Sequence, residues 1–191
     1  MAWQARPAPQ TWRPLYLGGS AAYIGGEVGS ASCEEHFLML DDIYNKRVLE
    51  FAADIPRLGR LAAPDASARA HSRLCGSTVT VDLCVRDGRV SDFAHDVRAC
   101  ALGQASSSLM ARGIVGATPE ELIELRATML AMLKANGPPP QGKWAAFAAL
   151  EPVRDFKARH ASTMLTFDAV VDALGQIAAA EGARTPASAT A

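Results

Sequence analysis

A chain of 191 residues with 19 Lys and Arg against 20 Asp and Glu carries a formal charge of −1, and 49 % of it is hydrophobic. That length suits one domain with a sizeable core, and the interspersed charges leave no basic run of the kind that grips nucleic-acid phosphates or an anionic membrane surface. Continuous apolar runs fall short of the ~20 residues that span a bilayer, and four irregularly spaced cysteines make no disulfide framework, so a reducing, cytoplasmic setting is expected, with neither nucleic acid nor membrane as partner.

Residues 1–38 carry scattered Pro, Gly, Ser and Trp without helical or strand periodicity. They read either as a flexible leader with some binding role or as an upstream extension of a domain whose natural start is Met39, and the second reading is preferred because the segment has too little pattern to fold alone. Cys33 and His36 within it form half a metal site at most, and more simply a chance pair. The domain is placed at 39–181, and 182–191, rich in Ala, Thr, Ser and Pro, as a disordered tail.

An amphipathic helix is expected from Asp41 to Asp54, with Ile43, Val48, Phe51 and Ala52 near one face and Ile55-Pro56 stopping it. A loop is expected from there to Arg73. Val79, Val81, Leu83 and Val85 then alternate with Thr78, Thr80, Asp82, Cys84 and Arg86, the signature of a half-buried strand. Asp87-Gly88 suits a type I′ turn, which returns the chain through Arg89 to Val97. On the returning strand Val90, Phe93 and Val97 do not share one parity, so a bulge or two covered faces must be allowed.

This hairpin brings Cys75, before it, and Cys100, after it, to the same end. Two adjacent thiols there are a disulfide, half of a metal site or a coincidence of packing, and a reducing compartment demotes the first. Cys84 sits mid-strand, out of phase with the valines, and reads as a small semi-buried residue under a helix. Ser106 to Val115 can form a short helix just past Cys100. Thr118-Pro119-Glu120-Glu121 is a capping box with proline at the first helical position; it launches Leu122 to Ala135, which Asn136-Gly137-Pro138 ends. A short Trp144 to Leu150 segment precedes a final helix from about Ala161 to Ala180. A small antiparallel sheet followed by helices is an α+β layout.

From Met39 to about Ala180 the chain resembles the U-type iron-sulfur cluster assembly scaffolds, the NifU N-terminal domain, IscU and SufU proteins. The resemblance is carried by Leu40-Asp41-Asp42-Ile43-Tyr44 and the helix it opens, by Gly59-Arg60-Leu61, by Cys75-Gly76, by the Asp87-Gly88 hairpin, and by Cys100-Ala101-Leu102-Gly103-Gln104-Ala105-Ser106-Ser107-Ser108. It implies a NifU/SufE-like α+β layout. It also implies a non-catalytic scaffold holding a transient cluster, [2Fe-2S] by type with zinc as the alternative metal, and cysteine desulfurase and acceptor apo-proteins as partners. A homodimer is also allowed.

The chain departs from the family pattern in two places. Ser77 stands where the family has an aspartate, and Ser162, in Arg159-His160-Ala161-Ser162, where it has a third cysteine. Two thiolates remain to hold iron, a metal that favours soft sulfur ligands. The implied cluster ligands are therefore Cys75 and Cys100, with His160 as a candidate third ligand if the final helix starts later than Ala161, although its place on the apolar face with Met164 and Phe167 fits a packed histidine better. His71 is a weaker candidate, and His95, within the returning strand, reads as structural. Two other roles stay open: accepting persulfide sulfur on Cys75 or Cys100, and a regulatory binding module that has lost cluster assembly. No Gly-rich phosphate loop, paired metal histidines or nucleophile elbow points to an enzyme.

Overall fold

The computed structural model describes residues 45–184. The expectations for the leader, for Cys33 and His36, for the first helical residues before Asn45 and for most of the tail lie outside it. Helix α1 (Lys46–Ala53) is capped by Asn45, whose side chain accepts the Val48 N–H at 3.0 Å, and is followed by β1 (Ala66–His71), β2 (Thr78–Arg86) and β3 (Arg89–Arg98). Then come α2 (Ala101–Gly113), α3 (Pro119–Ala135), a 3-10 segment (Gly142–Asp155) and α4 (Lys157–Arg184). The sheet is an antiparallel meander in the order β1-β2-β3.

Strand β1 corrects the expected loop between Pro56 and Arg73. Its inward residues are Ala66, Ala68 and Ala70, opposite Leu83, Val81 and Val79. Alanine is a poor strand former, so the alternation with Ser67, Arg69 and His71 is visible in the sequence but weak. The alanines leave room for α4, which packs on β1 and β2 and also meets α2 and α3.

The hairpin forms as read. Asp87 and Gly88 take φ of 53° and 68°, the two positive values of a type I′ turn. The mixed parity of β3 has one cause: Cys84 pairs with Asp92 but Val85 pairs with Val90, so Ser91 is an extra residue in a bulge. Val90 and Phe93, three apart, thus both reach the core, at 1 % exposure. Cys84 is covered by a loop rather than a helix, its sulfur 3.6 Å from the Ala63 carbonyl.

Helix α3 begins with the expected reciprocal cap: Thr118 Oγ1 accepts the Glu121 N–H, and Glu121 Oε2 accepts the Thr118 N–H. Asn136 ends it in the left-handed region, φ 52°. Two helices begin earlier than their sequence suggests, α2 at Ala101 and α4 at Lys157. Helix α4 is long and apolar enough, by length and composition, to cross a membrane, but Met164, Phe167, Val170, Ala173 and Leu174 are buried in the protein core.

The early start of α2 turns the serine run into helix interior. Ser106, Ser107 and Ser108 are fully buried. Ser106 donates to the Thr163 carbonyl at 2.8 Å, Ser107 pairs with the Thr166 hydroxyl, and Ser108 donates to the Asp54 carbonyl at 2.6 Å. Small side chains that satisfy their own hydroxyls let α2 and α4 approach closely without an orphaned polar group. Gly103 marks the tightest point, since a Cβ there would stand 2.7 Å from Ala99 Cβ and 3.1 Å from the Ser162 carbonyl oxygen.

Candidate cysteine site

Three segments converge at the open end of the hairpin. Register places His71, Thr78 and Arg98 in one row across the sheet, so the turn after β1 and the residues after β3 emerge side by side. The turn is closed by Ser72 N–H to the Ser77 carbonyl and Gly76 N–H to the Ser72 carbonyl, both 2.9 Å. Gly76, at φ 71°, supplies the left-handed residue that this reversal requires. Cys75 rides at the crest, exposed, beside a 76 %-exposed Leu74.

Beneath Cys75 lie two buried hydroxyls. Ser72 and Ser77 are 3 % and 5 % exposed, and their oxygens lie 3.3 Å and 3.0 Å from the Cys75 sulfur. Ser77 also accepts the Cys100 N–H at 3.3 Å. The Ser77 oxygen takes the Cys100 N–H on one lone pair and the Cys75 S–H on the other, so one serine ties the two cysteines together. The hydrogen bonds with Ser72 and Ser77 hold the Cys75 thiol below the ordinary cysteine range; slight burial opposes them and the charge of nearby Arg159 reinforces them.

Cys100 is the N-cap residue of α2, and its side chain makes no cap hydrogen bond to the helix. It is half-buried and carries no disulfide. Ser162, on the first turns of α4, is 1 % exposed and donates to the Arg159 carbonyl at 2.9 Å. The hydroxyls at both departures from the family pattern are therefore already engaged, Ser77 with the two cysteines and Ser162 with its own helix.

His160 is placed elsewhere. Because α4 starts at Lys157, this residue is helical rather than in a preceding loop, and its Nε2 lies 3.1 Å and 3.0 Å from the carbonyls of Val153 and Arg154. It lines a cleft of about 940 Å³ between α3, the 3-10 segment and α4. The structure thus ties Cys75 to Cys100 and engages His160 with the backbone, the packed reading that its sequence position favoured. Among the described residues, no three His, Cys, Asp or Glu side chains gather into a metal-holding group.

His71 ends β1 on the solvent side. His95 is fully buried, with Nε2 3.0 Å from the Pro56 carbonyl and Nδ1 without a partner; burial holds it neutral by pushing its pKa down. Sequence reasoning missed Ser72 and Arg159. The first had a faint signal, a serine on either side of Cys75, while the second is brought to the site only by the packing of α4.

The region 43–163, more than half of the chain, matches the NifU-like N terminal domain family. The chain is 26 % identical over 135 residues to the iron-sulfur cluster assembly scaffold protein IscU of Thermotoga maritima, covering 71 % of this chain and 94 % of that protein. A second IscU scaffold, from Streptococcus pyogenes serotype M1, is 24 % identical over 107 residues, 56 % of this chain and 67 % of its own. Among solved structures, the N-terminal NifU-like protein of Brucella abortus superposes with a TM-score of 0.73 at 64 % identity, covering 74 % of this chain and 98 % of that one. The putative SUF-system scaffold of Fervidobacterium islandicum AW-1 shares the fold, with a TM-score of 0.65 at 19 % identity over 70 % of this chain and 98 % of its own. With a match to the family model over more than half of its length, the chain belongs to the NifU-like N-terminal domain family.

Proposed function

We propose that this protein is an iron-sulfur cluster assembly scaffold that holds a nascent cluster on the thiolates of Cys75 and Cys100 and passes it to acceptor apo-proteins. The observation that carries the reading is the Ser77 bridge, which fixes two unpaired cysteines at an open edge, in a chain whose family and IscU-named relatives point to this role. Thiolates suit iron, and an exposed crest suits a cargo that must leave. The cargo is a [2Fe-2S] cluster, with zinc as the alternative occupant of the same thiolates, and sulfur arrives from a cysteine desulfurase. No step requires the protein itself to act as an enzyme, and a reducing cytoplasm keeps the thiols free.

Two thiolates do not close a four-coordinate metal site, so the remaining ligands come from outside the described residues. Anaerobic reconstitution with iron and sulfide, followed by absorption spectroscopy, metal analysis and transfer to an apo-ferredoxin, tests the reading. It predicts a thiolate-to-iron absorption that is lost in Cys75→Ser and in Cys100→Ser. No cluster absorption and no transfer would overturn it.

A second reading has an observation of its own in the acidified, exposed thiol of Cys75. A thiolate there attacks the outer sulfur of a desulfurase persulfide; one S–S bond forms on Cys75, the old one breaks, and the desulfurase keeps a thiolate. Mass spectrometry of the protein after incubation with desulfurase and cysteine distinguishes the two, because it finds sulfur added to Cys75 without iron only if this reading holds.

A further inference from the structure

Each of the three converging segments carries an arginine close in sequence to its site residue. Arg73 lies two residues before Cys75, Arg98 two before Cys100, and Arg159 three before Ser162. Arg73 is exposed, and Arg98 is 80 % exposed, with a loose 3.7 Å contact to Asp96. Neither Arg73 nor Arg159 pairs with an acid among the described residues. Arg159 is close enough for its charge to act on Cys75. In a chain of net charge −1, the three segments that carry the site thus set a collar of arginine positions about it, of which Arg159 is the one whose charge reaches Cys75.

Resting on the scaffold reading, we propose that the ligands missing from this site are supplied by a small anionic thiol, whose sulfur binds iron and whose carboxylates are held by Arg73, Arg98 and Arg159. Three observations converge on this class of ligand. Among the described residues this site offers two sulfur ligands; the hydroxyls of Ser77 and Ser162 are engaged with protein atoms; and the mouth is open, with Cys75 exposed and guanidinium groups suited to carboxylates. A cluster with two ferric ions, two sulfides and four thiolates carries a charge of −2, so the collar also offsets the charge of the assembled site.

The same collar argues against a second copy of this chain as the donor. Face-to-face docking would set two sets of three arginines against each other around one cluster, and like charges brought together in an interface oppose association. A small anionic thiol brings the opposite sign. Each incoming thiol gives its proton to solvent as its sulfur bonds iron and displaces a water, with no change in the oxidation state of iron or sulfide.

The experiment uses the full chain reconstituted anaerobically with iron and sulfide in parallel, with glutathione as the anionic thiol, with 2-mercaptoethanol as a neutral one, and with neither. Cluster retained after desalting is read by absorption, bound thiol by mass spectrometry under native conditions, and mass by analytical ultracentrifugation. The expected result is a monomer that keeps two glutathione molecules per cluster and retains about fivefold more cluster than with the neutral thiol, the size of effect that one or two exposed ion pairs give. The double variant Arg73→Glu/Arg98→Glu, both at exposed positions, should erase that preference, as should raised salt, whereas Arg47→Glu on α1 should not. A circular-dichroism melt checks that each variant folds, and Arg73→Gln/Arg98→Gln provides a milder pair.

Equal retention with both thiols, or a cluster held without added thiol by a dimer, overturns the proposal and leaves the scaffold reading standing. A protein that never holds a cluster under any of the three conditions overturns both, and the blank spectrum tells that failure from the first.

Discussion

The two ends of the β2–β3 hairpin are built to opposite purposes. At the closed end the Asp87-Gly88 turn is backed by Asp65, which accepts the Val85 N–H at 2.8 Å and pairs with Arg86 at 2.5 Å, and by the bulge at Ser91, whose hydroxyl donates to the Cys84 carbonyl. Backbone groups there are tied to side chains. At the open end the strands part around two cysteines and an exposed leucine, with three arginines on the segments that carry them, and the side-chain ties are two serine hydroxyls. One end fixes the register, and because strand residues alternate faces a slip of one residue would turn every side chain over. The other end uses that register to hold two thiols in place while leaving them accessible.

Between the ends stands a clamp. Asp82 is fully buried on the outer side of β2 and takes two hydrogen bonds from Arg60, at 2.6 and 2.8 Å, and one from the Leu61 N–H at 3.0 Å. Burial alone would raise its pKa, but these bonds, with Ser67, outweigh it and hold the carboxylate ionised. The loop carrying Arg60 is thereby laid across the outer face of the sheet.

The largest effect is expected at the open end. Cys75→Ser or Cys100→Ser should abolish most retention of a reconstituted cluster or of zinc, measured by metal analysis, whereas Cys84→Ser, at mid-strand, should retain nearly all of it. Loss in the Cys84 variant with retention in the Cys100 variant would reverse the assignment of the two ends.

Gly103→Val should follow, since its side chain would meet Ala99 and the Ser162 carbonyl where α2 crosses α4. Destabilisation of about 1–3 kcal/mol is expected from overpacking at such a contact, read by urea denaturation. Because Cys100 caps the same helix, metal retention should fall with it. A variant that loses stability yet binds metal normally would show that the helix start does not position the cysteine.

Acid should act on the clamp and on His95 with the same sign. The folded pKa of Asp82 is lowered, so its contribution is complete above the unfolded carboxylate value and is lost as pH falls through the folded one. His95 is also lowered, so its contribution is complete above the unfolded value near 6.5 and is lost as pH falls below it, when the unfolded chain takes up the proton first. The melting temperature should therefore drop between about pH 7 and 5. His95→Gln, which still offers an N–H to the Pro56 carbonyl, should flatten that slope; an unchanged slope would assign it to other groups.

The smallest effect is expected at the closed end. Asp65→Ala removes the ion pair with Arg86 and the acceptor for the Val85 N–H, together about 1 kcal/mol. Metal retention should not change. A large loss of metal in this variant would mean that the two ends are less independent than their geometry indicates.

The α+β layout, the hairpin with its turn, the capping box of α3 and the two cysteine turns were legible in the sequence, because each rests on local chemistry: strict alternation, an Asp-Gly pair that accepts positive φ, a reciprocal cap between residues three apart. Strand β1 was not, since its inward residues are alanines whose value lies in the room they leave for α4. The early starts of α2 and α4 were equally hidden, because no cap in the sequence announces them and close packing at Gly103 and the buried serines fixes them instead. That packing decided the site. It carries His160 into a helix and onto the carbonyls of Val153 and Arg154, brings Arg159 within electrostatic reach of Cys75, and engages the Ser162 hydroxyl with its own helix. By itself the sequence determined which side chains have the chemistry of a metal ligand, since that chemistry resides in the side chain. Only the tertiary structure decided which of them face one another, because that depends on how helices from distant parts of the chain pack against the open end of the sheet.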